Sequence, residues 1–184
     1  MNTHPHMNST FSYRGNVWIA LYTRARHEVK IAEQITRLGI EAYVPLRREM
    51  HCWSDRKKWV EVPLIRSYVF VHIDLRDYFR LFAIHGVVRV VMFRGRIARV
   101  RDHEIELLRC AARSGGEIAE SAQNLRKQNE VEIINGLFAG HRGKVVHSGS
   151  KYKICIRIEE LEYAVVVELS KADIRLANQA VAVV

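Results

Sequence analysis

Apolar residues crowd together at 17–23, where Val-Trp-Ile-Ala-Leu-Tyr-Thr runs without a charged position. Such a run suits a strand covered on both faces, in the middle of a sheet. The period then changes. Between 26 and 38, Val29, Ala32, Ile35 and Leu38 recur every third residue with Ile31 beside them, and Arg26, Lys30, Glu33 and Arg37 fall largely opposite. That spacing predicts an amphipathic helix, ended by Gly39. A second strand is expected at 41–45. Trp59, Val60 and Val62 make another at 58–63, after a Ser54-Asp55-Arg56 turn, with Trp59 in the core. Residues 67–73 form the most apolar strand. A helix is predicted over 74–84 from Leu75, Tyr78, Phe79 and Phe82, with Asp74 as its N-cap and Gly86 closing it. A strand at 87–93, a turn at 94–96, a short return at 97–100 and a helix at 102–111 follow. The predicted class is α+β, with helices packed on a mostly antiparallel sheet.

Residues 112–129 hold a Ser114-Gly-Gly116 break, no aromatic residue and mixed charge, which reads as a linker, helical around 118–125. From 130 the period is two. Val131/Ile133, Val145/Val146, Ile154/Ile156/Ile158 and Val165/Val167/Leu169 predict four short strands separated by glycine-containing or polar turns, which suit a small all-β SH3-like barrel. The expected organisation is a flexible leader at 1–16, a first domain at 17–111, the linker at 112–129, the barrel at 130–176 and a frayed tail at 177–184.

Charge sharpens this division. Residues 1–111 carry 19 basic and 11 acidic side chains, a net +8, whereas 112–184 carry 10 and 9, a net +1. A first domain so biased attracts polyanions, nucleic acid first, although a plain solubility charge fits the composition equally well. Two clusters localise it. Arg47, Arg48, Arg56, Lys57 and Lys58 interleave with Trp53 and Trp59, and Arg89, Arg94, Arg96, Arg99 and Arg101 gather around a turn with no acid among them. Guanidinium groups beside indoles neutralise phosphates and stack on unpaired bases.

Other chemistries find little support. The three cysteines, Cys52, Cys110 and Cys155, are far apart, so neither a disulfide framework nor a metal site is expected. No cofactor loop or nucleophile motif is present, and an enzyme built on His51 and Cys52 is disfavoured because neighbours on a strand point apart. No apolar run reaches the roughly 18 residues of a membrane span, and no secretion signal is visible, so a cytoplasmic monomer is expected. Tyr22, Tyr68, Phe70, Phe79 and Phe82 form an aromatic set, mostly core, with Tyr22 at a strand end the best exposed candidate.

Taken together, Trp18-Ile-Ala-Leu-Tyr22 before a helix, Ala42-Tyr-Val-Pro45, Leu64-Ile-Arg-Ser-Tyr-Val-Phe-Val71 and Gly86-Val-Val resemble the NusG family of transcription elongation factors. Val131-Glu-Ile-Ile-Asn-Gly-Leu-Phe-Ala-Gly140 with Arg142-Gly-Lys-Val-Val146 resembles the family's KOW motif. The chain departs from the general pattern: Ile65-Arg66-Ser67 stands where Phe-Pro-Gly is frequent, and Leu137 where Pro is usual. These departures resemble a specialised paralog that antiterminates selected operons.

The resemblance implies an NGN-like domain on the clamp helices of the RNA polymerase largest subunit, holding the clamp closed and suppressing pausing or termination. It implies polymerase contacts by Tyr22, Leu64, Ile65, Tyr68 and Phe70, and a second contact by Arg76 and Arg80. Arg24, Arg26 and Lys30 would face the non-template DNA strand, while Arg94, Arg96 and Arg99 are the candidates from the second basic cluster for DNA or nascent RNA. Through Phe138, Ile154, Ile156 and Val165 the KOW barrel would recruit a ribosomal protein or a termination factor. The alternative is an RNA-binding or ribosome-associated KOW protein.

Overall fold

The computed structural model describes residues 15–52, 57–114, 116–120, 129–148 and 150–177. The expected leader, the tip of the first basic cluster with Trp53 and Arg56, most of the linker and the tail therefore lie outside the described residues.

In chain order the elements are β1 (Asn16–Thr23), α1 (Glu28–Arg37), β2 (Glu41–Tyr43), β3 (Leu46–Cys52), β4 (Lys57–Pro63), β5 (Tyr68–Asp74), a 3-10 helix (Tyr78–Ala83), β6 (Val87–Val90), β7 (Met92–Phe93), β8 (Arg96–Ile97), β9 (Arg99–Val100) and α2 (Asp102–Ser114). Then come β10 (Glu117–Glu120), β11 (Glu130–Ile133), β12 (Arg142–Ser148), β13 (Tyr152–Ile158), a 3-10 turn (Glu159–Leu161), β14 (Tyr163–Leu169), a second 3-10 turn (Lys171–Asp173) and β15 (Ile174–Leu176).

β1 lies inside an antiparallel sheet ordered β2-β5-β1-β6, and β9 pairs with β1 beside β6. Its unbroken apolar run has the predicted cause. Ile19 and Leu21 face α1, where Ile31 and Ile35 are buried, while Trp18, Ala20 and Tyr22 face the other way. β5 divides identically, with Val69, Val71 and Ile73 under α1 and Tyr68 and Phe70 on the opposite face. The buried stripe of α1 is narrower than predicted, because Val29 and Leu38 are exposed. Gly39 ends the helix at φ +76, as expected of a C′ glycine.

Three local readings change. No α-helix covers 74–84. β5 runs to Asp74, whose carboxylate accepts the Arg76 backbone N–H at 2.9 Å and the Arg76 guanidinium at 2.6 Å. That side-chain turn competes with helix nucleation, so only a 3-10 segment forms at Tyr78–Ala83. The Arg76 guanidinium and then its backbone N–H hold the Asp74 carboxyl down to about 2. Second, 117–120 is a strand and not helix, since Glu117–Glu120 pairs with β14. The C-terminal sheet thus runs β10-β14-β13-β12-β11-β15, six strands where four were expected. Third, Trp59 is not core: 60 % of it is exposed, on a ribbon in which β3 and β4 pair only with each other.

Within the C-terminal sheet Gly143 is sterically required. A Cβ there would lie 2.6 Å from Ile154 Cγ2 and 2.9 Å from the Cys155 carbonyl oxygen.

α2 is buried on two sides. Ile105, Leu107, Leu108, Cys110 and Ala111 are covered, and one apolar cluster continues from Trp18, Tyr68 and Phe70 through α2 into Val131, Ile133, Ile154 and Val165. A helix enclosed this way packs against protein on more than one flank. At its rim Arg109 lies over the Tyr43 ring, 5.3 Å from the centroid, and 3.8 Å from Glu41. Burial pushes the Tyr43 phenol from its ordinary 10.0 up to about 12, against the opposing pull of Arg109 and Arg113.

Since the folded chain retains the neutral phenol, the Tyr43 contribution is intact below pH 10 and is lost as pH rises towards about 12, where the unfolded chain ionises first. Tyr43→Phe should flatten the decline of Tm across that window. Thermal unfolding of both proteins at several alkaline pH values measures it, and parallel declines would contradict the assignment.

Candidate functional site

The face of the first sheet turned away from α1 holds the aromatic set. Register places Tyr22 opposite Tyr68, Ala20 opposite Phe70, and Tyr43 opposite Phe70. Tyr22 and Tyr68 meet edge to face with centroids 5.8 Å apart, and Arg89 lies 5.0 Å above the Tyr22 ring. Tyr68 then meets Tyr163 of β14 edge to face at 5.6 Å. The ladder Arg89–Tyr22–Tyr68–Tyr163 therefore crosses from the first sheet to the C-terminal one.

Consequently, the expected open apolar depression is covered. Leu64, Ile65, Tyr68 and Phe70 are all buried, Phe70 completely, and Tyr22 is half-buried. The covering atoms come from α2 and from the chain's own C-terminal sheet.

Polar contacts fix the seam. Glu104, only 3 % exposed, accepts the Arg101 backbone N–H at 2.8 Å with one carboxylate oxygen. With the other it accepts the Glu159 N–H at 3.3 Å across the seam. The first bond is half of a capping box for α2. Reciprocally, the Glu160 carboxylate accepts the Arg99 backbone N–H. The ring nitrogens of His141 face the Phe138 carbonyl at 3.1 Å and the His103 carbonyl at 3.3 Å, linking α2 to the loop before β12. The Arg101–Glu159 pair, 3.6 Å apart and well exposed on both sides, adds little. Sequence reading missed Glu104, Glu159, Glu160 and Tyr163. The one available signal was an acidic pair between two strands in a chain whose basic residues lie mostly upstream.

The loop entering β5 is held separately. Ser67 has φ +64, a left-handed conformation unfavourable by roughly 1–2 kcal/mol for a residue with a Cβ. The buried carboxylate of Glu28 accepts its N–H at 2.7 Å, and its carbonyl accepts the Thr23 N–H at 2.8 Å. These bonds place Leu64 and Ile65 beside the aromatic face.

The basic candidates separate into groups. Arg24, Arg26 and Lys30 are exposed around the connection between β1 and α1, where Arg24 Nη1 lies 3.4 Å from His85 Nε2. Arg94 and Arg96 are exposed at the β7–β8 hairpin, and φ of +49 at Arg94 and +77 at Gly95 makes a type I′ turn. Arg99 is half-buried at the seam, apart from that tip. Arg76 is engaged by Asp74, and Arg80 is exposed beside Phe79.

On the C-terminal sheet Phe138, Ile154, Ile156 and Val165 are all buried and make core, not a partner surface. Among the described residues there, the large apolar side chains that stand exposed are Ile134, Leu137 and Leu176. A seam cleft of about 540 Å³, lined by Trp18, Glu41, Glu106, Arg109 and His141 among others, has its Arg109 paired with Glu41 and Glu106. No metal-holding cluster occurs among the described residues. His51 and Cys52 oppose Lys58 and Lys57 on successive positions of β3, so they project to opposite faces.

A family model described as transcription termination factor nusG matches residues 16–109. The chain belongs to the NusG family. NusG-family proteins are transcription factors and not enzymes. The solved structure described as "Domain interaction in Thermotoga maritima NusG" is similar at TM-score 0.54 and 18% identity, over 88% of this chain and 97% of that one. That likeness supports the same α+β fold with a separate all-β C-terminal sheet. The structure described as "Crystal Structure of MjSpt4:Spt5 complex conformation B" aligns at TM-score 0.30 and 19% identity, over 87% and 96% of the two chains. No curated protein matches. Among the described residues of this NusG-family chain, no helix is long and apolar enough to cross a membrane.

Glu104→Ala should loosen the seam by about 1–3 kcal/mol, because the Glu159 N–H loses its acceptor. Hydrogen exchange would show this as faster exchange at Glu159 and in β14, with β1 and β5 unchanged. Equal acceleration everywhere would mean that Glu104 supports the whole fold and not the seam.

Proposed function

We propose that this elongation factor binds RNA polymerase through the face carrying Tyr22, Leu64, Ile65, Tyr68 and Phe70, and that it does so only after the C-terminal sheet has moved aside. The observation carrying this reading is the edge-to-face contact of Tyr68 with Tyr163. An aromatic face suited to a partner's apolar rod is here complemented by an aromatic residue of the same chain. Binding then draws on the open fraction: if that fraction is about one in a hundred, the apparent Kd rises about 100-fold over the intrinsic one.

On polymerase, the reading places the face on the clamp helices and gives the segment around Arg76 and Arg80, with exposed Phe79 and Phe82, the second contact. Bridging both sides would favour the closed clamp and suppress pausing or termination on selected operons by a population shift. Arg24, Arg26 and Lys30 would face the displaced non-template strand, with Arg94 and Arg96 on DNA or nascent RNA. One of these arginines, Arg26, holds left-handed backbone at φ +65, strain that accords with a functional demand on the β1–α1 loop. The C-terminal domain offers the exposed Ile134, Leu137 and Leu176 to a ribosomal protein or termination factor, in place of the four core residues named from the sequence.

Two measurements test this. Tyr163→Ala should raise apparent affinity for purified polymerase, about tenfold for each 1.4 kcal/mol of lost cover, and should suppress pausing at lower concentration in single-round transcription; Tyr22→Ala should weaken both. If neither substitution changes binding, the aromatic face is not the docking face. Replacing Arg94 and Arg96 by Ala should reduce the log–log salt slope of single-strand binding by about 0.7 per lost phosphate contact; an unchanged slope would remove them from the nucleic-acid surface.

A further inference from the structure

The β3–β4 ribbon, which carries Lys57, Lys58 and Trp59 of the first basic cluster, has no part in the contacts proposed above. Its strands pair only with each other, and its base is set by the half-buried Leu46–Pro63 pair. Directly opposed residues share a face, so Arg48 with Glu61, Met50 with Trp59, and Cys52 with Lys57 line one side. Trp59 is 60 % exposed and Met50 45 %. A packed tryptophan removes about 150–250 Å² from water, and Trp59 forgoes much of that in the isolated protein.

The surroundings of the ring are cationic. Lys57 follows the same face, Lys58 pairs with His51 on the opposite one, and both are exposed. Among the described residues the ribbon's carboxylates are occupied by its own arginines, Glu49 by Arg47 and Glu61 by Arg48 at 3.8 Å. Lys57 and Lys58 have no carboxylate in ion-pair range among the described residues. A stable protein partner wants about 800 Å² of matched surface on each side, far more than one indole and one thioether on a narrow ribbon. A flat ring with an ammonium group two residues away on its own face instead has the two elements that hold single strands, a stacking platform and phosphate neutralisation.

We propose that the β3–β4 ribbon is a separate single-stranded nucleic-acid site, in which Trp59 stacks on an unpaired base and Lys57, on the same face, neutralises the adjoining phosphate. The site is independent of the covered aromatic face and lies on different elements from Arg24, Arg26, Arg94 and Arg96.

The test uses the full chain with Trp53→Phe, which leaves Trp59 and the buried Trp18 as indole reporters. Labelled oligo-dT and oligo-rU of about twenty nucleotides are the probes, read by anisotropy and indole emission. Saturation should quench the emission. Adding Trp59→Ala should weaken binding roughly 5- to 150-fold with thermal unfolding unchanged, and Trp59→Phe should recover most of the affinity. Lys57→Ala should lower the salt slope by about 0.7. Preference for one probe identifies the strand as DNA or RNA; equal binding means that the sugar is not read, and any of these three supports the site. Absence of quenching, or oligonucleotide binding by the Trp59→Ala chain equal to that of its parent, overturns the proposal. Polymerase co-elution of the Trp59→Ala chain keeps this result distinct from the docking reading: loss of co-elution with oligonucleotide binding intact would make the ribbon a protein contact and end the proposal.

Discussion

Burial of one aromatic sheet face under α2 and the C-terminal sheet is the interaction on which the rest depends. The first sheet has two apolar faces, and α1 covers only one. Leaving the other open would expose Trp18, Tyr68 and Phe70 to water, at about 25 cal/mol for each Å². α2 is too narrow to cover that face alone, and its own second flank needs cover as well. The C-terminal sheet satisfies both, which is why one apolar cluster spans the two parts.

Apolar cover is not directional, so the seam owes its register to polar groups. Glu104 and Glu160 each accept a backbone N–H from the opposite part, or bridge to it, where a carboxylate bond is stronger than a neutral one. The exposed Arg101–Glu159 pair contributes more to approach than to affinity. This division is what a separable contact requires: area supplies most of the free energy, and a few oriented bonds select one arrangement.

Much of this fold was legible in the sequence. The continuous runs in β1 and β5 mean two-sided burial, and they received it. The Ile31–Ile35 stripe made α1, and period two made the strands after 130. Periodicity nevertheless records that a face is covered and not what covers it. Tyr68 and Phe70 read equally well as core or as docking surface, and only the three-dimensional arrangement shows Tyr163 upon them. Trp59 failed in the opposite sense, because alternation in a free-standing ribbon looks like alternation in a sheet. The 74–84 pattern was helical in spacing, but Asp74 diverted the first turn through a local bond that hydrophobic period cannot register. β10 escaped notice because four residues of mixed polarity become a strand only when β14 offers an edge.

That annexed strand has a mechanical consequence. α2 stops at Ser114 and β10 starts at Glu117, so two residues, with Gly116 N–H bonded back to the Ala111 carbonyl at 2.9 Å, are all that separate the rigid parts. The connection between α2 and β10 is thus no long leash. If the C-terminal part moves aside as proposed, it either pivots about a joint two residues wide or first unzips the Glu117–Glu120 ladder. Along the first route it stays at high effective concentration over its former seat, ready to reclose; along the second, tether length itself becomes a quantity that the chain can gate.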